Sequence, residues 1–299
     1  MIVSEVPRPR RAWGRLVVPM AAILTWDVGV VLAYEFGIPG LNGISIQYSL
    51  FGTAIALFLG FMVNASYARW WEARTLWGSI VNNSRSLARQ VVSSIDRPSP
   101  DSRPGLVDEM VRAQIAYVHS LRTSLRKQDL PDEVRTYLTA EGYLGASRAT
   151  NVPTAILTHI GMLLSEAARR GMVSDISRER IESTLTVLSD AQGGLERIKN
   201  TPLPVQYRFL PSFFSRVFAV ILPFAIVRDL HWFTPLGSGL VALMFLIAVQ
   251  VGNDLAEPFV DDVHDVPMTA ICRTIEIDLL EMLGEQSPEA VAPVEDILW

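Results

Sequence analysis

The chain has one cysteine, Cys272, among 299 residues. An intrachain disulfide, a thiolate metal site and a CxxC redox pair are therefore excluded, and Cys272 reads as a small buried hydrophobe. Histidine is also scarce. His119, His159, His231 and His264 are scattered and form neither HExxH nor HxxxH. No GxGxxG, GxxxxGK or GxSxG motif occurs, so nucleotide-cradling loops and a nucleophile elbow are missing. No long run of one charge sign appears, which removes the usual footprint of a nucleic-acid partner. No β-hairpin signal interrupts the chain. These absences leave no catalytic constellation, and the chain is not read as an enzyme.

Apolar length is what remains. Hydrophobic residues make up 49% and charged residues 19%, with a mean hydropathy of +0.27. The pair of values suggests apolar spans joined to a sizeable water-exposed part. Tyr48–Ala68 is the centre of that reading, with twenty-one residues and no charge. As a helix it matches a hydrocarbon core of about 30 Å. Small residues alternate with bulky ones, and Thr53, Leu57 and Phe61 form a ladder in steps of four. Each step drifts about 40°, which a tilted helix can absorb. Copies of such a helix around one axis would stack the ladder into apolar rings with a slightly polar top, the form of a gate that works by dewetting. The same pattern suits a bundle helix whose small residues simply admit close neighbours.

Other spans flank it. Residues 1–15 carry Arg8, Arg10, Arg11 and Arg15, with Pro7 and Pro9 predicted to keep the arm extended. Leu16–Tyr34 reads as a first membrane helix rather than a signal peptide, because the run is long and no clear cleavage site follows. Asp27 within it should face the bundle, paired with Arg216 or a backbone group. Phe36–Gln47 is a turn region without Lys or Arg, and Arg69, Arg74, Arg85 and Arg89 follow the second span. The positive-inside rule then puts both termini in the cytoplasm. Residues 69–209 read as an all-α cytoplasmic domain. The second helix continues straight out, helices follow at Val107–Leu125, from Pro131, at Pro153–Arg170 and at Ser177–Lys199, and a loop lies at 94–105. Pro202 and Pro204 forbid an ordinary helix and fix Leu203 in a rigid turn. A third and a fourth span fill residues 210–252, with Pro223 predicted to kink the third. Residues 253–299 hold a last helix opened by Pro267 and an acidic, loose tail. Asp261 and Asp262, with Asp265 nearby, can hold a hard cation such as Ca²⁺ or simply cap that helix.

Three pieces together resemble the bestrophin family: GlyPheMetValAsnAlaSerTyrAlaArgTrpTrp at 60–71, LeuProValGlnTyr at 203–207, and GluProPheValAspAspValHisAsp at 257–265. Their order and spacing agree, over most of residues 10–285, and the absent long C-terminal tail is similar to bacterial members. The resemblance implies an all-α homopentamer with four transmembrane helices per subunit and a helical cytoplasmic domain. It implies passage of small monovalent ions along a single axial pore in a bacterial inner membrane. Phe61 would match the innermost aromatic of an apolar neck, Leu57 its middle rung, and Leu203 the aperture at the cytoplasmic end. Thr53 stands where the family places an apolar residue. The family's calcium clasp needs a longer acidic run than Asp261–Asp262, so no cofactor is expected. The acidic balance of the chain, net −5, leans the permeant ion toward cations. The alternative to a channel is a membrane-anchored helical scaffold or sensor that binds a soluble partner.

Overall fold

The computed structural model describes residues 9–38, 47–96, 105–294 and 296–299, with side chains from residue 14. It contains α-helices α1 (Pro9–Glu35), α2 (Tyr48–Ser94), α3 (Leu106–Arg126), α4 (Asp132–Tyr137), α5 (Ala140–Ser147), α6 (Val152–Arg169), α7 (Asp175–Asn200), α8 (Val205–Leu230), α9 (Thr234–Ala256) and α10 (Met268–Leu283). Among the described residues no strand occurs; one isolated bridge joins Val294 and Ile297. By length and composition, three stretches are apolar enough to cross a membrane: Gly14–Glu35, part of α2, and Val205–Ala256. The last comprises α8, a 3₁₀ turn at His231–Phe233, and α9.

Two expectations are corrected at the chain ends. The arm predicted to stay extended through residue 15 is helical from Pro9, since a proline in the first turn forfeits no helical hydrogen bond; residues 1–8 lie outside the described residues. The tail predicted to be loose folds back. A Trp299 backbone oxygen accepts from Ala270 N at 2.7 Å, and Ile297 is buried. Composition alone misread this tail because two apolar residues anchor it. The predicted loops are only partly described, because residues 39–46 and 97–104 lie outside the described residues.

The chain divides into two compact units, and the boundary falls within α2, after Trp70, and again at Thr201 and Pro258. The apolar unit holds α1, the first half of α2, α8 and α9. Ile55 and Leu59 pack with Phe218, Leu222 and Val249. Glycine sets the spacing at two places: a Cβ on Gly252 would lie 2.9 Å from Met62 Cε, and one on Gly239 would lie 2.8 Å from Leu24. Such close approach is how helices associate where water supplies no hydrophobic drive. Arg15 reaches Asp254 at 3.4 Å and Glu35 reaches His231 at 3.3 Å, which fixes α1 antiparallel to α9. Asp27 is fully buried and accepts from Ser238 Oγ at 3.3 Å. The predicted partner Arg216 is exposed instead.

The helical unit is built around α3. The helix expected at Val107–Leu125 is α3, and it is buried nearly all round, because α4, α6, α7 and α10 pack against it. Its polar residues are consequently bonded inside the fold. Gln114 donates to Ser84 Oγ at 2.8 Å and Tyr117 OH to the Leu188 carbonyl at 3.3 Å. His119 Nε2 meets Glu276 Oε2 at 3.1 Å, and Tyr137 OH donates to Glu276 Oε1 at 2.6 Å. Arg273 lies 2.9 Å from the same carboxylate. Burial opposes ionisation of Glu276, but the His119 and Tyr137 hydrogen bonds and the charges of His119 and Arg273 outweigh it. They hold the carboxyl below its ordinary 4.5.

A carboxylate depressed on folding adds stability above its unfolded pKa and loses it as pH falls through the lower folded value. Glu276→Gln should therefore cost about 1–3 kcal/mol near neutral pH. In thermal melts of the purified protein, its gap to wild type should narrow progressively below pH 4.5. A gap constant across that range would contradict the ionised network.

Candidate functional site

Thr53, Leu57 and Phe61 stand on one side of α2, and all three are exposed; Leu57 keeps 59% and Phe61 54% of its surface. Ile55, Leu59 and Met62, offset by about half a helical turn, are buried against the apolar unit. The ladder is thus the face that this chain leaves uncovered, and bulky apolar groups are what it offers there. Thr53 is less polar than its residue type suggests. Its hydroxyl donates to the Ser49 carbonyl at 2.8 Å, so the one donor of that rung is spent inside its own helix. Nothing in the sequence marks this back-bond except the spacing of four.

Leu203 lies in the break between α7 and α8. Thr201 caps α7, and Pro204 caps α8 with φ −50° and ψ 137°. The prolines on either side restrict the backbone, and Leu203 is half-buried.

The acids are engaged within their own loop and by Arg126 rather than converging on an ion, and the N-terminus of α10, at Pro267, receives no side-chain cap. Asp265, buried, accepts from the backbone N–H of Asp261 at 2.7 Å and of Asp262 at 3.2 Å. Asp262 Oδ1 accepts from Val263 N at 2.7 Å. Asp261 Oδ1 lies 2.6 Å from the Arg126 guanidinium, which also donates to Thr269 Oγ1 at 3.0 Å. Burial pushes the Asp265 carboxyl up, and the backbone N–H groups oppose that rise. Among the described residues no three His, Cys, Asp or Glu side chains are grouped to hold a metal ion. Of the two organising residues, Asp265 and Arg126, only Arg126 escaped sequence reasoning. Asp265 was visible as an acid at the right offset, whereas Arg126 comes from a helix some 135 positions earlier in the numbering.

An all-apolar cavity of about 420 Å³ opens beside the ladder, lined by Tyr48, Phe51, Phe58, Phe214 and Ile221 among others. It offers no hydrogen-bonding groups that would orient a substrate.

Residues 11–281 match the family model described as Bacterial/Fungal Bestrophin protein. The Escherichia coli K12 relative called voltage-dependent anion channel-forming protein YneE is 35% identical over 302 residues, covering 96% of this chain and 97% of the relative. The Salmonella typhi protein of that name is 38% identical over 247 residues, 83% of this chain and 79% of the relative. The crystal structure of a bacterial bestrophin homologue from Klebsiella pneumoniae superposes with a TM-score of 0.83 at 30% identity, covering 91% of this chain and 99% of that one.

With its acids already engaged, Ca²⁺ at about 1 mM, the weak end of protein calcium sites, should leave the melting temperature unchanged. Arg126→Gln should lower stability by about 1–2 kcal/mol by freeing Asp261. A calcium-dependent rise in the wild-type melting temperature would show that Asp261 and Asp262 still take an ion.

Proposed function

Because the chain belongs to the bacterial and fungal bestrophin family, we propose that it is an ion channel of the bacterial inner membrane, with copies of α2 ringing one axial pore. The observation that carries this reading is the uncovered ladder on α2. Large apolar side chains exposed on a face of a membrane helix need lipid, a second subunit or a narrow lumen as their surroundings. Their spacing suits rings, and the relatives' names speak of channels.

The mechanism follows from solvation. Leu57 and Phe61 offer no oxygen to replace an ion's hydration shell, so a narrow ring of them is a dehydration barrier. Opening must widen that ring. The Thr53 rung, its donor spent on Ser49, adds little relief at the outer end. Leu203, restrained by its two prolines, is the candidate second constriction at the cytoplasmic end. Five subunits, each with four spans and both termini in the cytoplasm, are the assembly this reading adopts. The helices α1, the first half of α2, α8 and α9 supply the spans.

The sign of the ion is read as negative. The lean toward cations came from the net charge of −5, which averages the whole surface. The curated relatives are named for anions, and apolar rings by themselves do not choose a sign. The permeant species is then a small monovalent anion such as chloride.

Leu57→Ala in planar bilayers should raise single-channel conductance severalfold, since it removes the bulk of one ring. Mass measurement of the detergent-solubilised oligomer should give five chains. Unchanged conductance in a variant that still assembles would remove Leu57 from the neck, and a monomer would remove the ring altogether.

A further inference from the structure

Two prolines lie inside α8, Pro211 and Pro223, and Pro223 is buried. A proline has no N–H, so the carbonyl four residues back loses its helical donor and is crowded by the ring. For Pro223 that carbonyl belongs to Ala219. The next carbonyl along, that of Val220, accepts a hydrogen bond from another helix. Trp26 Nε1, on α1, donates to it at 3.0 Å. The Trp26 ring also stands edge-on to Phe224, with centroids 5.9 Å apart. One side chain of α1 thus holds α8 on both sides of the proline.

The chemistry of the two partners explains the contact. Indole has a donor and no acceptor, and in apolar surroundings its N–H needs a partner. A side chain reaches a mid-helix carbonyl where the ladder is opened, and a proline opens it. Asp27, the next residue of α1, accepts from Ser238 of α9 at 3.3 Å. Successive residues therefore peg α1 to both later spans.

Val220 lies between Phe218 and Leu222, which pack with Ile55 and Leu59 of α2. The Phe218 ring is also set 5.6 Å from that of Phe245, and a Cβ on Gly52 would come within 3.3 Å of it. Ile55 and Leu59 are the buried back of the helix whose exposed front carries Leu57 and Phe61. All of these residues belong to the apolar unit. Close-packed side chains do not yield one at a time. If Leu57 and Phe61 are to retreat and widen a ring, Ile55 and Leu59 must retreat with them. The α8 segment before Pro223 must then give way.

We propose that Trp26 is a positioning residue for the neck: its hydrogen bond to the Val220 carbonyl holds the proline-weakened segment of α8 against α2 and so favours the narrow ring. The inference rests on the channel reading above and adds what braces the gate from behind.

Trp26→Phe keeps a ring beside Phe224 and removes the donor. In planar bilayers the full-length variant should show an open-to-closed ratio about two- to tenfold above wild type, the equivalent of one lost hydrogen bond, at unchanged single-channel conductance. Conductance reports the bulk of the ring, which Leu57→Ala changes, whereas a brace shifts only the time spent open. Pro223→Ala returns the missing N–H to the ladder. In that background, adding Trp26→Phe should change the ratio by less than about twofold. Equal effects in the two backgrounds would overturn the part assigned to the proline. Hydrogen exchange of the purified proteins gives a readout that needs no current. Peptides covering residues 219–227 should exchange about two- to tenfold faster in Trp26→Phe, with those of α3 unchanged. This arm decides the brace if Pro223→Ala does not assemble. Unchanged exchange overturns the brace, and faster exchange with an unchanged open-to-closed ratio overturns its hold on the neck. A wild type without current strikes the channel reading itself. A conducting wild type that answers to Leu57→Ala but not to Trp26→Phe strikes only this inference.

Discussion

A long helix must do something with every side of itself, and α2 does two different things with two sides. In the apolar unit Ile55, Leu59 and Met62 are buried while Thr53, Leu57 and Phe61 are exposed, and in the helical unit Ala73, Trp77 and Ile80 are buried. That asymmetry is the constraint from which the functional reading descends. The packed face needs α8 and α9 in the apolar unit, with Ile55 and Leu59 against Phe218, Leu222 and Val249. In the helical unit it needs Trp77, Ile80 and Leu87 to be buried. With that face occupied, the remaining one is committed by default to whatever surrounds the helix. In the apolar unit that face carries Leu57 and Phe61.

Periodicity made much of this legible. The apolar runs and their caps located α2, α6, α7 and α10 to within a few residues, because 3.6-residue spacing and proline or glycine punctuation are local signals. The ladder at 53, 57 and 61 was equally local. Partners were not. Periodicity shows that a face is sticky but not what sticks to it, so the all-round burial of α3 and the pairing of Asp27 with Ser238 rather than Arg216 lay beyond reach. Asp261 and Asp262 looked like an ion site because neighbouring acids are visible in a sequence. Arg126, which answers one of them, is visible only in three dimensions.

The sign of the permeant ion shows a related limit. Net charge counts every carboxylate equally, although Glu276, Asp278 and Asp261 are each matched by a cation nearby. An ion responds to the few charges beside its path, which a total over the whole surface does not report.

The six-residue helix α4 buries a single side chain, Val134. It is too short to persist alone. Its hold on the rest of the helical unit comes through Tyr137 to Glu276 and through Glu133 to Arg122, at 3.0 Å. Its order is therefore borrowed from polar contacts as well as from Val134, and the more exposed of them, Arg122 with Glu133, is the one that dissolved ions screen. α4 is accordingly the segment whose amides would exchange with solvent at rates that follow ionic strength, a local opening that leaves the packed helices around α3 closed.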